Sequence, residues 1–279
     1  MMDEGRVFEL ENAAAEVRKG VLRGAVARGA AHIASSLSVV EILCSLYFGG
    51  LARVDSSNKE SVDRDRVILS KGHGSLALYS TLAHAGYFDK KELDTFARVN
   101  TFLGGEPRLG ECPGVEASTG SLGHGVSIGA GIALAMKADH IPAHVFVIVG
   151  DGECQEGSIW EAAELAPKLG LDNLTVIVDD NGLQKSCRTD EVVGFDRLAR
   201  IWESFGWYVI EADGHSFASL ERAIAEAKGA GLPGAVIAHT VKGKGISIME
   251  GNPAWHYRVP RRRELDAAMR DLGVEVAPC

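Results

Sequence analysis

Residues 149–184, VGDGECQEGSIWEAAELAPKLGLDNLTVIVDDNGLQ, decide the fold class. An apolar run ends at Gly150-Asp151-Gly152 and predicts a buried strand, and residues 156–169 then have helical character. LTVIVDD at 174–180 predicts a second buried strand, which ends directly before Asn181. Continuously apolar strands joined by a helix are typical of a parallel sheet that is covered on both faces.

The rest of the chain repeats this alternation. Further strands are predicted at 67–70, 207–212 and 234–241. Helices are predicted over 7–28, 37–48, 74–86, 89–98 and 123–138, and within 216–231. The sequence shows no internal repeat, low-complexity tract or linker. We therefore expect one α/β domain over residues 1–279, with a parallel sheet flanked by helices on both faces.

Composition excludes several classes of protein. The net charge of −9 argues against a broad nucleic-acid footprint, and the basic cluster RVPRRR (258–263) is short enough for a solvated loop and helix start. No run of about 18 apolar residues predicts a membrane span, and the charged N-terminus lacks the apolar segment of a signal peptide. Five scattered cysteines without CxxC spacing predict free thiols. We expect a cytoplasmic protein that binds neither membrane nor nucleic acid.

Polar residues follow the two central strands where the strands end. In open α/β sheets, ligands bind beyond the carboxyl ends of the strands. The glycines let backbone amides approach an anion closely, and the next helix presents its N-terminus. Asp151 would repel a phosphate unless a divalent cation lay between them, and Asp151 and Asn181 offer the oxygen ligands that magnesium or calcium prefers. Gly-Asp-Gly alone also fits a plain turn, but a second strand ending in DDNG favours a metal-bridged diphosphate.

This stretch resembles the thiamine-diphosphate motif, and other segments resemble transketolases. They are AAHIASSLSVVEIL (30–43), KGHGSLALYSTLAHAGYF (71–88), GVEASTGSLGHGVSIGAGIALA (114–135), GWYVIEADGHS (206–216) and HTVKGKGISIMEGNPAWH (239–256). The resemblance is nearly end to end. It implies the diphosphate-binding (PP-type) fold and the N-terminal subunit of a two-component transketolase. Such an enzyme transfers a two-carbon ketol unit from a ketose donor to an aldehyde acceptor, with thiamine diphosphate and Mg²⁺ or Ca²⁺.

The resemblance also implies roles for individual residues. The metal ligands are Asp151, Asn181 and the backbone carbonyl of Leu183. Catalytic roles fall to three histidines, His32 at the substrate channel, His73 at the diphosphate, and His256 near both the diphosphate and the donor. The implied cofactor-binding residues are His73, Gly120, Leu122, Gly150, Asp151, Gly152, Glu156, Asn181, Lys244 and His256. Of these, Glu156 is expected in a carboxylate network at a subunit interface, and Lys242 is interpreted as a solvated neighbour of Lys244.

Two positions depart from the family pattern. Glu106 stands where many transketolases have a histidine that touches the donor, and His124 stands where a glutamine is common. An ionised glutamate can only accept hydrogen bonds, so Glu106 would disfavour an anionic group nearby and favour an amine or another unusual substrate. The resemblance therefore supports the cofactor chemistry more strongly than it supports the usual sugar phosphates.

A partner chain is also implied. In this family, the glutamate that activates the cofactor comes from a pyrimidine-binding domain across a subunit interface. The residues after 240 are too few for another sheet domain. We therefore expect a partner chain, a C-terminal transketolase subunit, in an α2β2 assembly. Two alternatives stay open: the α subunit of a 2-oxo-acid dehydrogenase or related decarboxylase, and a cofactor-binding scaffold without catalysis.

Overall fold

The computed structural model describes residues 2–185, 187–193 and 197–274, and within them five strands form one parallel sheet. The strands are β1 (Arg66–Leu69), β2 (Val145–Gly150), β3 (Leu174–Asp180), β4 (Tyr208–Asp213) and β5 (Gly234–His239). Their order in the sheet is β1-β2-β3-β5-β4, and every neighbouring pair is parallel. The predicted fold class is confirmed.

Ten α-helices connect and cover the strands within the described ranges. They are α1 (Glu4–Arg28), α2 (Ile33–Leu37), α3 (Val40–Tyr47), α4 (Ser75–His84), α5 (His124–Ala138), α6 (Gly157–Lys168), α7 (Thr189–Val192), α8 (Leu198–Ser204), α9 (Phe217–Gly229) and α10 (Arg263–Asp271). Short 3₁₀ turns occupy Gly72–Gly74, Lys90–Thr95, Glu153–Gln155 and Pro253–Trp255. None of the helices in these ranges combines the length and the apolar character needed to cross a membrane.

Two predicted helices differ from the structure. The helix predicted over 37–48 is broken between α2 and α3 at Ser38, whose hydroxyl donates to the carbonyl of Ser35 (3.3 Å) and to Asp179 Oδ2 (2.8 Å). Serine side chains that bond to nearby backbone compete with helical hydrogen bonds. The helix predicted over 89–98 is instead the 3₁₀ segment Lys90–Thr95, and it ends before Ala97, which has a φ of 50°. Helices α7 and α8 were not predicted, and α10 was anticipated only as a helix start in the basic cluster.

The core lies on both faces of the sheet, and the strand residues alternate between them. On one face, Phe146, Ile148 and Val236 join the apolar sides of α1, α3, α4 and α9. On the other face, Val147 and Val176 join α5, α6 and α8. All six residues of β2 are buried. With both faces covered, polar loops reach the sheet at its ends, where the site is built.

Candidate active site

The loops that follow β1, β2, β3 and β5 meet at the carboxyl edge of the sheet. Gly150 is in register with Asp179, and Asp180 with His239, so the ends of three strands are level. A cavity of about 430 Å³ opens above them, and we call it the inner cavity. The predicted site residues that line it are His32, His73, Gly120, Leu122, Gly150, Asp151, Gly152, Glu156, Asn181, Leu183 and His256. The structure thus gathers residues that are distant in sequence around one space.

Lys244 is the predicted cofactor-binding residue that does not line the inner cavity. Its ammonium lies 3.8 Å from Glu250 Oε1, and both side chains are 38% exposed. Lys242 lines the cavity instead and is only 2% exposed, so its interpretation as a solvated residue is wrong. Lys242 Nζ donates to the carbonyls of Leu183 (3.0 Å) and Gln184 (2.9 Å). The two glycines flanking Lys244 turn the chain here, and the ammonium that faces the cavity belongs to Lys242.

Asp151 is a buried carboxylate at the floor of the inner cavity. Its Oδ2 accepts a hydrogen bond from Thr189 Oγ1 at 2.6 Å. Burial raises the pKa of Asp151 to about 6, against the lowering effect of the Thr189 hydrogen bond, and the neighbouring carboxylate of Asp179 adds to the rise. Desolvation disfavours the charged form, and a bound cation would reverse this. Asp151 therefore has the surroundings of a group that is ionised when a cation is present.

Asn181 and Leu183 place two further oxygen atoms beside this cavity. Asn181 Nδ2 donates to Asp179 Oδ2 (3.0 Å), which orients the amide, and its Oδ1 accepts from the backbone N–H of Leu183 (3.2 Å). The Leu183 carbonyl accepts from Lys242 and keeps a second lone pair. The described residues contain no cluster of three or more His, Cys, Asp and Glu side chains suited to a metal. The predicted set is compatible with that finding because only one of its three ligands is a carboxylate.

Three histidines form a cluster at the top of the inner cavity. The ring centroids of His32 and His73 are 5.2 Å apart, those of His32 and His256 5.1 Å, and those of His73 and His256 5.8 Å. Burial and the nearby Lys71 ammonium lower the pKa of His73 to about 2, and burial and Lys242 lower that of His256 to about 4. The pKa of His32 is lowered by the same kinds of effect. All three rings are therefore neutral near pH 7, and each can accept a hydrogen bond at its unprotonated nitrogen.

Glu153 is a functional candidate that the sequence analysis missed. Its Oε1 accepts from Ser70 Oγ (2.5 Å) and from the backbone N–H of Gly123 (2.9 Å), and its Oε2 accepts from the N–H of Gly150 (3.1 Å). Burial raises the pKa of Glu153, although each of the three hydrogen bonds acts to lower it. One buried carboxylate thus joins the end of β1, the turn before α5 and the glycine loop after β2. The acidic residue after Gly-Asp-Gly was the only sequence signal for it.

Lys71 and Asp179 form a second arrangement that was not predicted. The Lys71 ammonium pairs with Asp179 Oδ2, and the two side chains are 2% and 0% exposed. Although burial raises the pKa of Asp179, the Lys71 ammonium outweighs this and lowers it below its ordinary value. Asp179 also accepts hydrogen bonds from Ser38, Thr240 and Asn181. Asp179 therefore fixes the orientation of the Asn181 amide, which is the predicted metal ligand.

The inner cavity suits a polar anionic group together with a cation. Four buried polar atoms in its lining make no hydrogen bond with any described residue: Ser35 Oγ, Gln155 Nε2, Gln184 Nε2 and His256 Nδ1. Buried polar atoms are rarely left without partners unless a ligand or water satisfies them. Two of the four are amide donors, and Lys71 and Lys242 add positive charge. Donors and ammonium groups suit a diphosphate, and Asp151 with the oxygens of Asn181 and Leu183 suits a divalent cation, so the predicted cofactor fits this lining.

The chain is similar to known proteins over nearly all of its length. The family described as "Transketolase, thiamine diphosphate binding domain" matches residues 14–278. The chain is 40% identical over 271 residues to the 6-deoxy-6-sulfo-D-fructose transketolase subunit of Clostridium sp. (strain MSTE9), covering 97% of this chain and 98% of that one. It is 41% identical over 265 residues to an apulose-4-phosphate transketolase subunit of Actinobacillus succinogenes, covering 95% and 96%.

A solved structure that resembles this chain is also a transketolase. The transketolase of Campylobacter jejuni superposes with a TM-score of 0.89 at 27% sequence identity, and the match covers 98% of this chain and 44% of that chain. The chain thus spans less than half of that solved transketolase but nearly the whole of the two relatives whose names describe subunits. These matches favour transketolase over the 2-oxo-acid dehydrogenase alternative. The chain belongs to the transketolase family and carries that family's thiamine-diphosphate-binding domain.

Proposed function

We propose that this chain is the N-terminal subunit of a two-component, thiamine-diphosphate-dependent transketolase that moves a two-carbon ketol unit from a ketose donor to an aldehyde acceptor. The observation that carries the proposal is the inner cavity, where two buried carboxylates (Asp151 and Glu153), two buried ammonium groups (Lys71 and Lys242) and three neutral histidines surround one space. Residues 1–279 act as one domain in this proposal. The free thiols of Cys44, Cys112, Cys154 and Cys187 support a cytoplasmic location.

Asp151, Asn181 Oδ1 and the Leu183 carbonyl hold a divalent cation in this proposal, and Gly150 and Gly152 lie against the diphosphate. Magnesium is the proposed ion, with calcium as the alternative. Lys242 neutralises diphosphate charge, because its buried ammonium already lies beside the Leu183 carbonyl. Gly120 and Leu122, which also line the inner cavity, contact the cofactor rings in this proposal.

When bound, thiamine diphosphate supplies a carbanion that adds to carbonyl carbons. The chain's own residues position the substrate and handle protons. Because burial and neighbouring ammonium groups keep His32, His73 and His256 neutral, each ring can accept a hydrogen bond from a substrate hydroxyl and hold that hydroxyl in place. His73, the most buried of the three, faces the diphosphate, and His32 and His256 hold the donor.

The partner is a C-terminal subunit that supplies the pyrimidine-binding domain, and the proposed assembly is α2β2. Two relatives of nearly equal length are named as transketolase subunits, which supports a partner for this chain as well. Glu156 is exposed in this chain although it lines the inner cavity, so a partner can cover it there. Those relatives are named for a sulfonated and a phosphorylated sugar, and we propose a sugar or sugar-like substrate for this chain.

One experiment separates the enzyme classes. The chain, co-purified with its partner, is supplied with Mg²⁺, thiamine diphosphate, a ketose donor and an aldehyde acceptor, and the products are measured by mass spectrometry. Transketolase activity lengthens the acceptor by two carbons. Release of carbon dioxide from pyruvate or a longer 2-oxo acid, without ketol transfer, would instead support the dehydrogenase alternative. Tight cofactor binding without turnover of either substrate class would support the scaffold.

A further inference from the structure

A second cavity adjoins the inner one on its solvent side. This outer cavity has a volume of about 520 Å³, and its lining shares His32, His73 and Glu106 with the inner cavity. The three shared residues therefore surround the junction between the two spaces, which we call the throat. A substrate that approaches the cofactor from the outer cavity must pass the throat with its reacting end first.

The Glu106 carboxylate lies at the throat against the backbone of Gly120. Gly120 has a φ of 142°, and a Cβ there would lie 2.9 Å from Glu106 Oε1 and closer still to Oε2. The backbone of this loop is fixed, because Tyr79 Oη donates to the Glu106 carbonyl (3.2 Å) and Ser75 Oγ to the Gly105 carbonyl (2.8 Å). In contrast, the Glu106 carboxylate makes no hydrogen bond or ion pair with any described residue. Glu106 is exposed, so the hydrogen-bond partners of its carboxylate come from a ligand or solvent.

Charges around Glu106 are arranged unequally along the substrate path. The two histidines of the throat are neutral, because burial lowers the pKa of each. Two guanidinium groups, those of Arg28 and Arg108, line the outer cavity and not the inner one. Arg108 bonds only weakly to Glu111 (3.3 Å) at the surface, and the Arg28 guanidinium makes no hydrogen bond or ion pair with any described residue. Negative charge therefore lies at the throat. Positive charge lies on its solvent side at Arg28 and Arg108 and on its inner side at Lys242, which is assigned above to the diphosphate, and Lys185.

We propose that Glu106 selects the donor by the charge of its reacting end. It accepts hydrogen bonds from the hydroxyls of a ketose whose carbonyl carbon carries neutral substituents, and it repels a donor whose carbonyl carries a carboxylate. An anionic group at the far end of the donor lies instead beside Arg28 and Arg108. This inference rests on the proposed function and specifies the donor class of the same site.

Two donors that yield the same ketol unit test this selection. In erythrulose, the bond between C2 and C3 breaks, and glycolaldehyde leaves. In hydroxypyruvate, the bond between the carbonyl carbon and the carboxylate breaks, and carbon dioxide leaves. Each donor passes an identical two-carbon unit to the aldehyde. A difference in kcat/KM between the two donors therefore reports the effect of the throat on the donor's carboxylate. Like charges placed together at a binding site are strongly unfavourable.

The experiment uses the complete complex with the partner, Mg²⁺ and thiamine diphosphate. The ratio of kcat/KM for hydroxypyruvate to that for erythrulose is measured in the wild type, in Glu106→Gln and in Glu226→Gln. Glu106→Gln preserves shape, and the carboxylate it replaces has no partner within the described structure, so the fold is retained. Glu226→Gln removes the same charge from the exposed side of α9, outside both cavity linings.

We expect the ratio of kcat/KM for hydroxypyruvate to that for erythrulose to rise roughly tenfold or more in Glu106→Gln and to stay within about twofold in Glu226→Gln. An unchanged ratio in Glu106→Gln, or an equal rise in both variants, overturns it. If the wild type turns over neither donor, the proposed function fails separately. The affinity of the wild type and of Glu106→Gln for hydroxypyruvate is then measured by calorimetry. We expect Glu106→Gln to bind hydroxypyruvate roughly tenfold more tightly, and equal affinities overturn the inference.

Discussion

Lys71 and Asp179 form an ion pair that is almost fully buried directly beneath the inner cavity, with side chains 2% and 0% exposed. Lys71 follows β1, and Asp179 lies near the end of β3, with β2 between them in the sheet. The pair joins the segment that carries His73 to the segment that carries Asn181. Its geometry therefore couples the position of a proposed diphosphate contact to that of a proposed metal ligand.

Lys71→Met should destabilise the chain strongly. The substitution leaves the Asp179 carboxylate buried without its cation, and removing one member of a buried pair costs about 3–5 kcal/mol of unfolding free energy. Denaturant titration of the variant measures this loss. The double variant Lys71→Met/Asp179→Asn removes the orphaned charge and should recover part of it. A single variant within about 1 kcal/mol of the parent would show that the pair does not stabilise the fold.

Asp151→Asn should change how cofactor binding depends on metal. In the parent complex, EDTA leaves Asp151 facing the diphosphate without a cation, and thiamine diphosphate affinity should fall by at least roughly tenfold. The variant lacks both the metal ligand and the repelling charge, so its weaker affinity should be nearly independent of Mg²⁺. Isothermal titration with and without EDTA measures both effects. Asp139→Asn, at the exposed end of α5, is the matched control. A variant that keeps the parent's response to Mg²⁺ would refute the proposed metal role.

Lys242 and Lys244 provide a matched pair of substitutions. Lys242→Met removes the buried ammonium that lines the inner cavity and should weaken thiamine diphosphate binding by roughly tenfold or more. Lys244→Met removes an ammonium that lies beside Glu250 outside the cavity lining, and affinity should change less than about twofold. Titration of cofactor into each complex gives the comparison. A larger effect at Lys244 would restore the assignment made from sequence.

His144 should make the chain less stable as the pH falls. It lies far from the site, bonds to Thr175 Oγ1 (2.8 Å), and has a pKa lowered to about 4 by burial and by Lys228, against the opposing effect of Asp65 and Asp172. Because the unfolded histidine titrates near its ordinary pKa of about 6.5, the unfolded state binds more protons between these values. Stability is therefore retained above about pH 6.5 and lost progressively toward pH 4, by about 3 kcal/mol for this residue.

The measurement is the unfolding free energy at several values between pH 7 and pH 4, for the parent and for His144→Gln. Buried carboxylates and the histidines of the site contribute in both proteins, so the difference between the two slopes isolates His144. The variant should lose less stability than the parent over this range. Parallel slopes would mean that His144 is protonated in the folded state as readily as in the unfolded chain.

Most of the fold was visible in the sequence because its central strands, β2 and β3, are largely apolar and end in glycine or aspartate. β3 was predicted with its observed ends, Leu174–Asp180. The break at Ser38 was not visible, because it depends on a hydrogen bond to Asp179, which is distant in sequence. Local periodicity contains no information about such contacts.

The site residues that lie within one short motif were predicted, and those whose role depends on packing between distant segments were missed. Asp151, Asn181 and Leu183 lie within one motif and meet at one cavity. Lys242 and Lys244 are two residues apart in a glycine-flanked turn, and only the structure shows which ammonium faces inward. Glu153 and Lys71 act through partners far along the chain, so their surroundings could not be inferred from neighbouring residues.

The central claim is that this chain is the cofactor-binding subunit of a two-component transketolase. A native mass spectrum of the chain, purified from its source with Mg²⁺ and thiamine diphosphate, tests it most directly. We expect a complex with two copies of this chain, two copies of a second chain and two cofactors. A homodimer with neither a second chain nor cofactor would contradict the claim.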